Sequence, residues 1–226
     1  MSADFSRFER YNRVTAPSYV LDNPEALYDL CVFASQAALE LSYHYDGKQV
    51  SAVAPVWDNG DQSDGKPMLK IVSAGCFKPF PETDEFAEYT RVCAEQNLID
   101  NGLKAGDTML GVLFLRLNGF KGDGIEGNGT EEDPRLCQPC RLRALPVLGP
   151  NLVIVSFIGD SQEAHDAITL QQTFESKDFG RPLEVIGSGS DAKKYVIEKV
   201  IGDQEHAVKI GRLPLIPSRR YRRAKT

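Results

Sequence analysis

No apolar run in this chain approaches the roughly 20 residues that a bilayer-spanning helix needs, so no membrane partner is expected. Nor does Met1-Ser2-Ala3-Asp4-Phe5 begin a basic stretch followed by an apolar one, the pattern of a secretory signal. Cysteine is sparse and odd in number: five, at positions 31, 76, 93, 137 and 140. Without a signal, that count points to a reducing compartment and to thiols that are free or metal-bound. The expected location is therefore intracellular, in the cytoplasm. The C-terminal Arg219, Arg220, Arg222, Arg223 and Lys225 leave open a nuclear address, an RNA contact or a solvated tail. An excess of positive charge is missing too, since the net charge is −6 even with that tail included. An acidic body argues against general nucleic-acid binding. Internal repeats are absent, and the Gly- and acid-rich stretch 118–134 lacks the regular spacing of a calcium loop. That stretch reads as an insertion and a candidate lid.

What is present is a succession of helix and strand signals in a chain long enough, at 226 residues, for a sizeable core. Asn23-Pro24-Glu25 supplies a cap, an N1 proline and an acidic first turn. Leu27, Leu30, Cys31, Ala34, Ala38 and Leu41 follow at helical spacing, which makes Cys31 a core residue, while His44 falls at the surface beyond. Gln49–Trp57 and Met68–Gly75 read as a strand hairpin joined through Asn59-Gly60 and Asp64-Gly65, with Pro55 marking an edge or a bulge. Trp57 reads as packing rather than as pocket lining. Thr108–Leu117 is nearly continuous in apolar residues and predicts a strand covered on both faces; Asn151–Ile158 predicts another. Thr169-Leu170-Gln171-Gln172 reads as a capping box opening a helix, with His165 in the turn before it. Gly187-Ser188-Gly189-Ser190 reads as a linker. The expected organisation is an arm over 1–23, a main domain over 24–180, and an extension over 181–226 with the basic tail.

Two segments carry chemistry. Cys93-Ala94-Glu95 and, later, Cys137-Gln138-Pro139-Cys140-Arg141 offer three thiolates and one nearby carboxylate. Thr90 as N-cap would place Cys93 in the first turn of a helix that Asn101-Gly102 ends. Pro139 suits the first position of a second helix, which Leu142, Leu145 and Pro146 carry to its close. Glu95, two residues past Cys93, lies about 200° around the helix and is free for proton transfer. Each half alone has an ordinary explanation. C-x-x-C also serves as a redox pair or a structural zinc clip, and Cys-Ala-Glu also describes a helix with a buried thiol and an exposed acid. Jointly they supply three metal ligands, an open fourth position and a proton carrier, which is the requirement of a zinc deaminase.

The same residues resemble the zinc-dependent cytidine deaminases, including the blasticidin S deaminase branch. Ser51-Ala52-Val53-Ala54 and Ser73-Ala74-Gly75-Cys76 match that family's strands, and Thr169–Gly180 is similar to its C-terminal helix and tail. The resemblance implies an α/β fold, a three-layer α/β/α arrangement around a mixed, about five-stranded central sheet. It implies zinc held by Cys93, Cys137 and Cys140, with Glu95 moving protons and Arg141 hydrogen-bonding a zinc thiolate. The implied substrate is a small cytosine-type heterocycle, and the implied assembly is a homotetramer or dimer in which Phe174 and Phe179 help close a neighbour's pocket. Two departures stand out. Phe77-Lys78-Pro79-Phe80-Pro81-Glu82 replaces the Asn-x-Glu placement that holds a ribose, so Phe77 and Phe80 read equally as a stack on a flat ring or as a hydrophobic plug, and Glu82, Asp84 or Glu85 becomes the candidate for a substitute polar contact unless the substrate is no simple cytidine. Leu136 stands where the family has proline before the C-x-x-C pair. A nucleic-acid editing enzyme, suggested by the basic tail, and a non-catalytic zinc scaffold, suggested by the lost ribose motif, are the rival readings.

Overall fold

Helix α1 (Pro24–Glu40) opens on the Asn23 side chain, which accepts a hydrogen bond from the Ala26 amide at 3.1 Å. In this computed structural model, which describes residues 11–44, 48–58, 68–78, 92–119, 136–170 and 187–189, α1 buries Leu27, Tyr28, Cys31, Val32, Ser35, Ala38 and Leu39 against a sheet. Leu41, the last residue of the predicted stripe, is exposed at the C-cap. The strands are β1 (Tyr11–Thr15), β2 (Gln49–Asp58), β3 (Met68–Gly75), β4 (Thr108–Met109), β5 (Val112–Asn118), β6 (Val153–Ile158), β7 (Ala164–Thr169) and β8 (Gly187–Gly189). They lie in the order β1-β3-β2-β5-β6-β7-β8, with β4 also paired to β2. Only β5 and β6 are parallel, so the protein is mixed α/β with a mixed sheet. Two further α-helices, α2 (Ala94–Asn97) and α3 (Gln138–Leu148), and two short helical turns, Ser18–Leu21 and Leu98–Gly102, complete the described elements.

Strand alternation sorts the core into two clusters. Val53, Ile71, Val112, Phe114, Val153, Val155 and Phe157 pack with α1 in one cluster. Ala52, Ala54, Val72, Leu113, Leu115 and Ile154 pack in the other with Ala94, Leu98, Cys140 and Ala144 from the segments that carry the thiols. Trp57 belongs to the α1 cluster, whereas Cys93, Cys137 and Cys140 belong to the other.

Several expectations change. Eight strands replace about five, because β1, β4 and β8 join the middle five. Within the predicted arm, Tyr11–Thr15 is an edge strand on β3, held by Arg13, whose guanidinium bonds both carboxylate oxygens of Asp107 at 2.6 Å and lies 2.9 Å from Asp58. The apolar run 108–117 is broken at Gly111, where φ is +77°, into β4 and β5. Pro55 is not on an edge; it sits on interior β2 where pairing passes from β5 to β4, and its carbonyl accepts from Leu110 at 3.0 Å. Its missing N–H faces that same break, so no ladder bond is lost. His165 lies in β7, not in a turn, and the Gly-Ser-Gly linker signal is strand β8. Pro146 lies inside α3, which continues to Leu148 and ends at Gly149 with φ +81°. Residues 171–186 and 190–226, with the capping-box glutamines, Phe174, Phe179 and the basic tail, are outside the described residues, as is most of the 118–134 insertion.

Among the described residues, Cys31 and Tyr28 contribute to the protein's response to alkali. Burial pushes both well above their ordinary values of 9.0 and 10.0. The neutral forms are the ones the fold favours, so stability is full below pH 9 and falls as pH rises beyond it. Urea midpoints measured between pH 7 and 10.5 should be level at first and then decline. Cys31→Ala should flatten the decline by up to about 1.4 kcal/mol per pH unit.

Candidate metal centre

The three thiols meet because α2 and α3 start side by side. Both β3 and β5 run antiparallel to β2, so they leave the sheet at the same end. Beyond β3, Phe77 and Val92 exchange two backbone hydrogen bonds, of 3.1 and 2.9 Å, which deliver the chain to Cys93. Cys93 is the N-cap of α2 rather than a first-turn residue, with φ −66° and ψ 155°, and its carbonyl accepts from the Asn97 amide at 2.9 Å. Cys137 repeats this arrangement as the N-cap of α3, again with φ −66° and ψ 155°, its carbonyl accepting from the Arg141 amide at 3.0 Å. Pro139 occupies the helix start, where an amide would have no partner. Cys140 then falls in the first turn.

The Sγ atoms of Cys93, Cys137 and Cys140 all lie within 4.8 Å of one another, and Cys93 and Cys137 are 3.9 Å apart. A tetrahedral zinc with bonds of about 2.3 Å would hold its sulfurs about 3.8 Å apart, the spacing of the Cys93–Cys137 pair, and the Cys140 sulfur falls within 4.8 Å of both. No fourth His, Cys, Asp or Glu joins the group among the described residues. The hydrogen bond with Cys137 pushes the Cys93 and Cys140 thiols up from their ordinary value, as do burial and the Glu95 charge, while the contact with Cys140 pulls Cys93 the other way. A dication would reverse this preference and displace the protons.

Glu95 is itself buried, at 6 % exposure, unlike the solvent-facing acid of the ordinary helix explanation. It lies two residues after Cys93, in α2, and its charge acts on both Cys93 and Cys140. Arg141 is fully buried directly after the last thiol. Leu136, in the position of the family's proline, packs into the apolar cluster around the sulfurs. Phe77 is buried and contributes its backbone to the bridge that places Cys93. Phe80 and Glu82 lie outside the described residues.

The sequence matches no model of a known protein family, and no curated protein matches it.

One residue that the motifs did not single out holds the site in place. Helix α2 has four residues and runs on as a single wide turn, Leu98–Gly102, too short to be stable by itself. Asn97 anchors it. The fully buried Asn97 side chain donates to the Gly75 carbonyl at 2.9 Å and accepts from Asn101 Nδ2 at 2.9 Å. Gly75 also lies against the end of α1, where an added Cβ would stand 3.0 Å from the Ala38 carbonyl oxygen and 2.8 Å from Cα of Ser42 just beyond the helix. The end of β3 is thus clamped between α1 and the helix that carries Glu95. Asn97→Leu leaves a buried carbonyl without its donor and should cost about 1–3 kcal/mol. A urea midpoint unchanged from the parent would show that the clamp is not needed.

Proposed function

We propose that the protein is a zinc-dependent hydrolytic deaminase of a cytosine-type nucleoside or a modified relative. In this reading the two clusters flanking the sheet correspond to the three-layer α/β/α arrangement of the cytidine deaminases. The observation that carries the proposal is a cluster of three sulfurs within 4.8 Å of one another, to which no described residue adds a fourth ligand, with a buried carboxylate, Glu95, two residues after the first of them. A structural zinc clip uses four protein ligands; three leave a position for water.

Cys93, Cys137 and Cys140 would hold the zinc, whose contribution is to acidify water in the remaining position. Three thiolates around a dication leave an excess negative charge, and two groups offset it. The N-terminus of α3 presents its positive end to the cluster, and the buried Arg141 guanidinium would hydrogen-bond a zinc thiolate. Glu95 takes the proton from the attacking water and passes it to the ring nitrogen of the substrate. It then moves the second proton to the departing ammonia as the C4–N bond breaks. Phe77 and Phe80 are assigned to the flat face of the ring, and Glu82 to a polar contact where a ribose would otherwise be held. The assembly this reading favours is a homotetramer or dimer in the cytoplasm.

Cytidine, deoxycytidine, cytosine and modified cytosine nucleosides should be screened for ammonia release with protein carrying about one zinc per chain. Turnover of at least one of them is expected. Zinc-loaded, folded protein inert toward the whole panel would overturn the reading.

A further inference from the structure

The three sulfurs support a second role, which rests on their reading as a metal site. We propose that hydrogen peroxide or an organic hydroperoxide joins Cys93 to Cys137 in a disulfide and so releases the metal. Their Sγ atoms are 3.9 Å apart, and a disulfide bond of about 2.05 Å needs an approach of only about 2 Å. Both residues are N-caps with extended backbone, at φ −66° and ψ 155°, so each can change rotamer without driving its sulfur into a helical turn. Cys140 lies within the first turn of α3, where that freedom is restricted. Exposure makes the same distinction. Cys93 and Cys137 are half-buried, whereas Cys140 is 2 % exposed. The C-x-x-C spacing would suggest a bond between Cys137 and Cys140, but access and backbone freedom favour the longer-range pair. Cys31 and Cys76 are buried and stand outside the cluster.

The chemistry balances. One sulfur attacks a peroxide oxygen, the O–O bond breaks, and water (from hydrogen peroxide) or the alcohol (from an organic hydroperoxide) leaves, with a sulfenic acid left on the sulfur. The second sulfur attacks that sulfenyl sulfur, the S–S bond forms, the S–O bond breaks, and its oxygen departs as water. Two electrons pass from the two sulfurs to the peroxide. Two protons come from the thiols, or from solvent where a metal has held the sulfurs as thiolates. Cys140 alone cannot retain the cation. The new bond, between residues 44 apart, would replace the metal as the link between α2 and α3 and keep the chain folded.

The test treats the zinc-loaded full chain with a modest excess of hydrogen peroxide. It follows zinc release with a chromophoric chelator, counts thiols, and maps cross-linked peptides by mass. Release of about one zinc per chain is expected. Two of the five thiols should be lost, with the Cys93 and Cys137 peptides joined. Dithiothreitol should restore both thiols and zinc binding. A Cys137–Cys140 link, over-oxidation of one cysteine without a link, or retention of zinc with all thiols intact would overturn the proposal while the metal reading stands. Protein that binds no zinc would remove the metal reading instead. In such protein, a Cys93–Cys137 link would still support the geometry, and its absence would overturn it.

Discussion

Cys137→Ala should purify with less than about a tenth of the parent's zinc and unfold at a much lower urea concentration. Cys137 supplies one of only three sulfurs in the cluster and is 3.9 Å from Cys93. Two sulfurs, Cys93 and Cys140, cannot replace a three-ligand site, and metal affinity here is linked to folding because α2 and α3 are separate chain segments that the cation would tie together. If Cys137 only packed, its loss would remove one small, half-buried side chain and cost on the order of 1 kcal/mol. Loss of a metal link is several times larger. Cys31→Ala is the control: it removes a fully buried thiol from the other cluster and should leave zinc content unaltered. Elemental analysis with urea midpoints on both variants decides the matter. Full zinc occupancy in Cys137→Ala would show that the ligand set is different.

The parts of the fold that sequence made plain are those where one periodicity dominates. The stripe of Leu27, Cys31 and Ala38, with the cap at Asn23, marked α1 because spacing and terminus agree. The hairpin β2–β3 and strands β5 and β6 were legible as apolar runs bounded by turn residues. The rest was hidden for identifiable reasons. Tyr11–Thr15 is mostly exposed and polar, and it becomes a strand only because β3 offers an edge and Asp107 binds Arg13. Ala164–Thr169 has too few large apolar residues to announce a strand, and Gly187–Gly189 has none; pairing to neighbours decides both. Arg116 interrupts the apolar strand β5 yet is fully buried, with Ser35 Oγ accepting from its Nε at 2.9 Å and Gly159 O and Ser161 O accepting from its Nη1 at 2.6 and 2.9 Å. At the site, the two cysteine motifs were visible but their caps were shifted. The N-cap role passes from side-chain chemistry to position, because neither Cys93 nor Cys137 makes a side-chain cap bond. Asn97 could not be found from spacing, as its partner Gly75 lies 22 residues back on β3.

Glu95→Gln should abolish turnover while leaving the metal in place. The substitution preserves size and hydrogen-bonding atoms but removes the ability to accept a proton, and a positioned acid–base group is worth about 10²–10⁴ in rate. Two proton transfers depend on Glu95 in the proposed reaction, so kcat should fall to the upper end of that range with little change in KM. Metal binding should move the other way. Hydrogen bonding to Cys137 and burial raise the Cys93 and Cys140 thiols, and the Glu95 charge raises them further, so a neutral Gln makes both easier to deprotonate. Zinc affinity should therefore equal or exceed the parent's, with the gain most evident on the acidic side, where protons compete hardest for the sulfurs. The opposite signs separate three roles. A proton carrier loses rate and keeps or tightens zinc; a metal ligand loses both; a purely structural buried acid loses stability and leaves the rate of the remaining folded protein unchanged. Competition titration against a chelator at two pH values, beside steady-state kinetics on a turned-over nucleoside, distinguishes them. Zinc loss on Glu95→Gln would move the carboxylate from proton transfer into the coordination sphere, and with it would go the open position on which hydrolytic deamination depends.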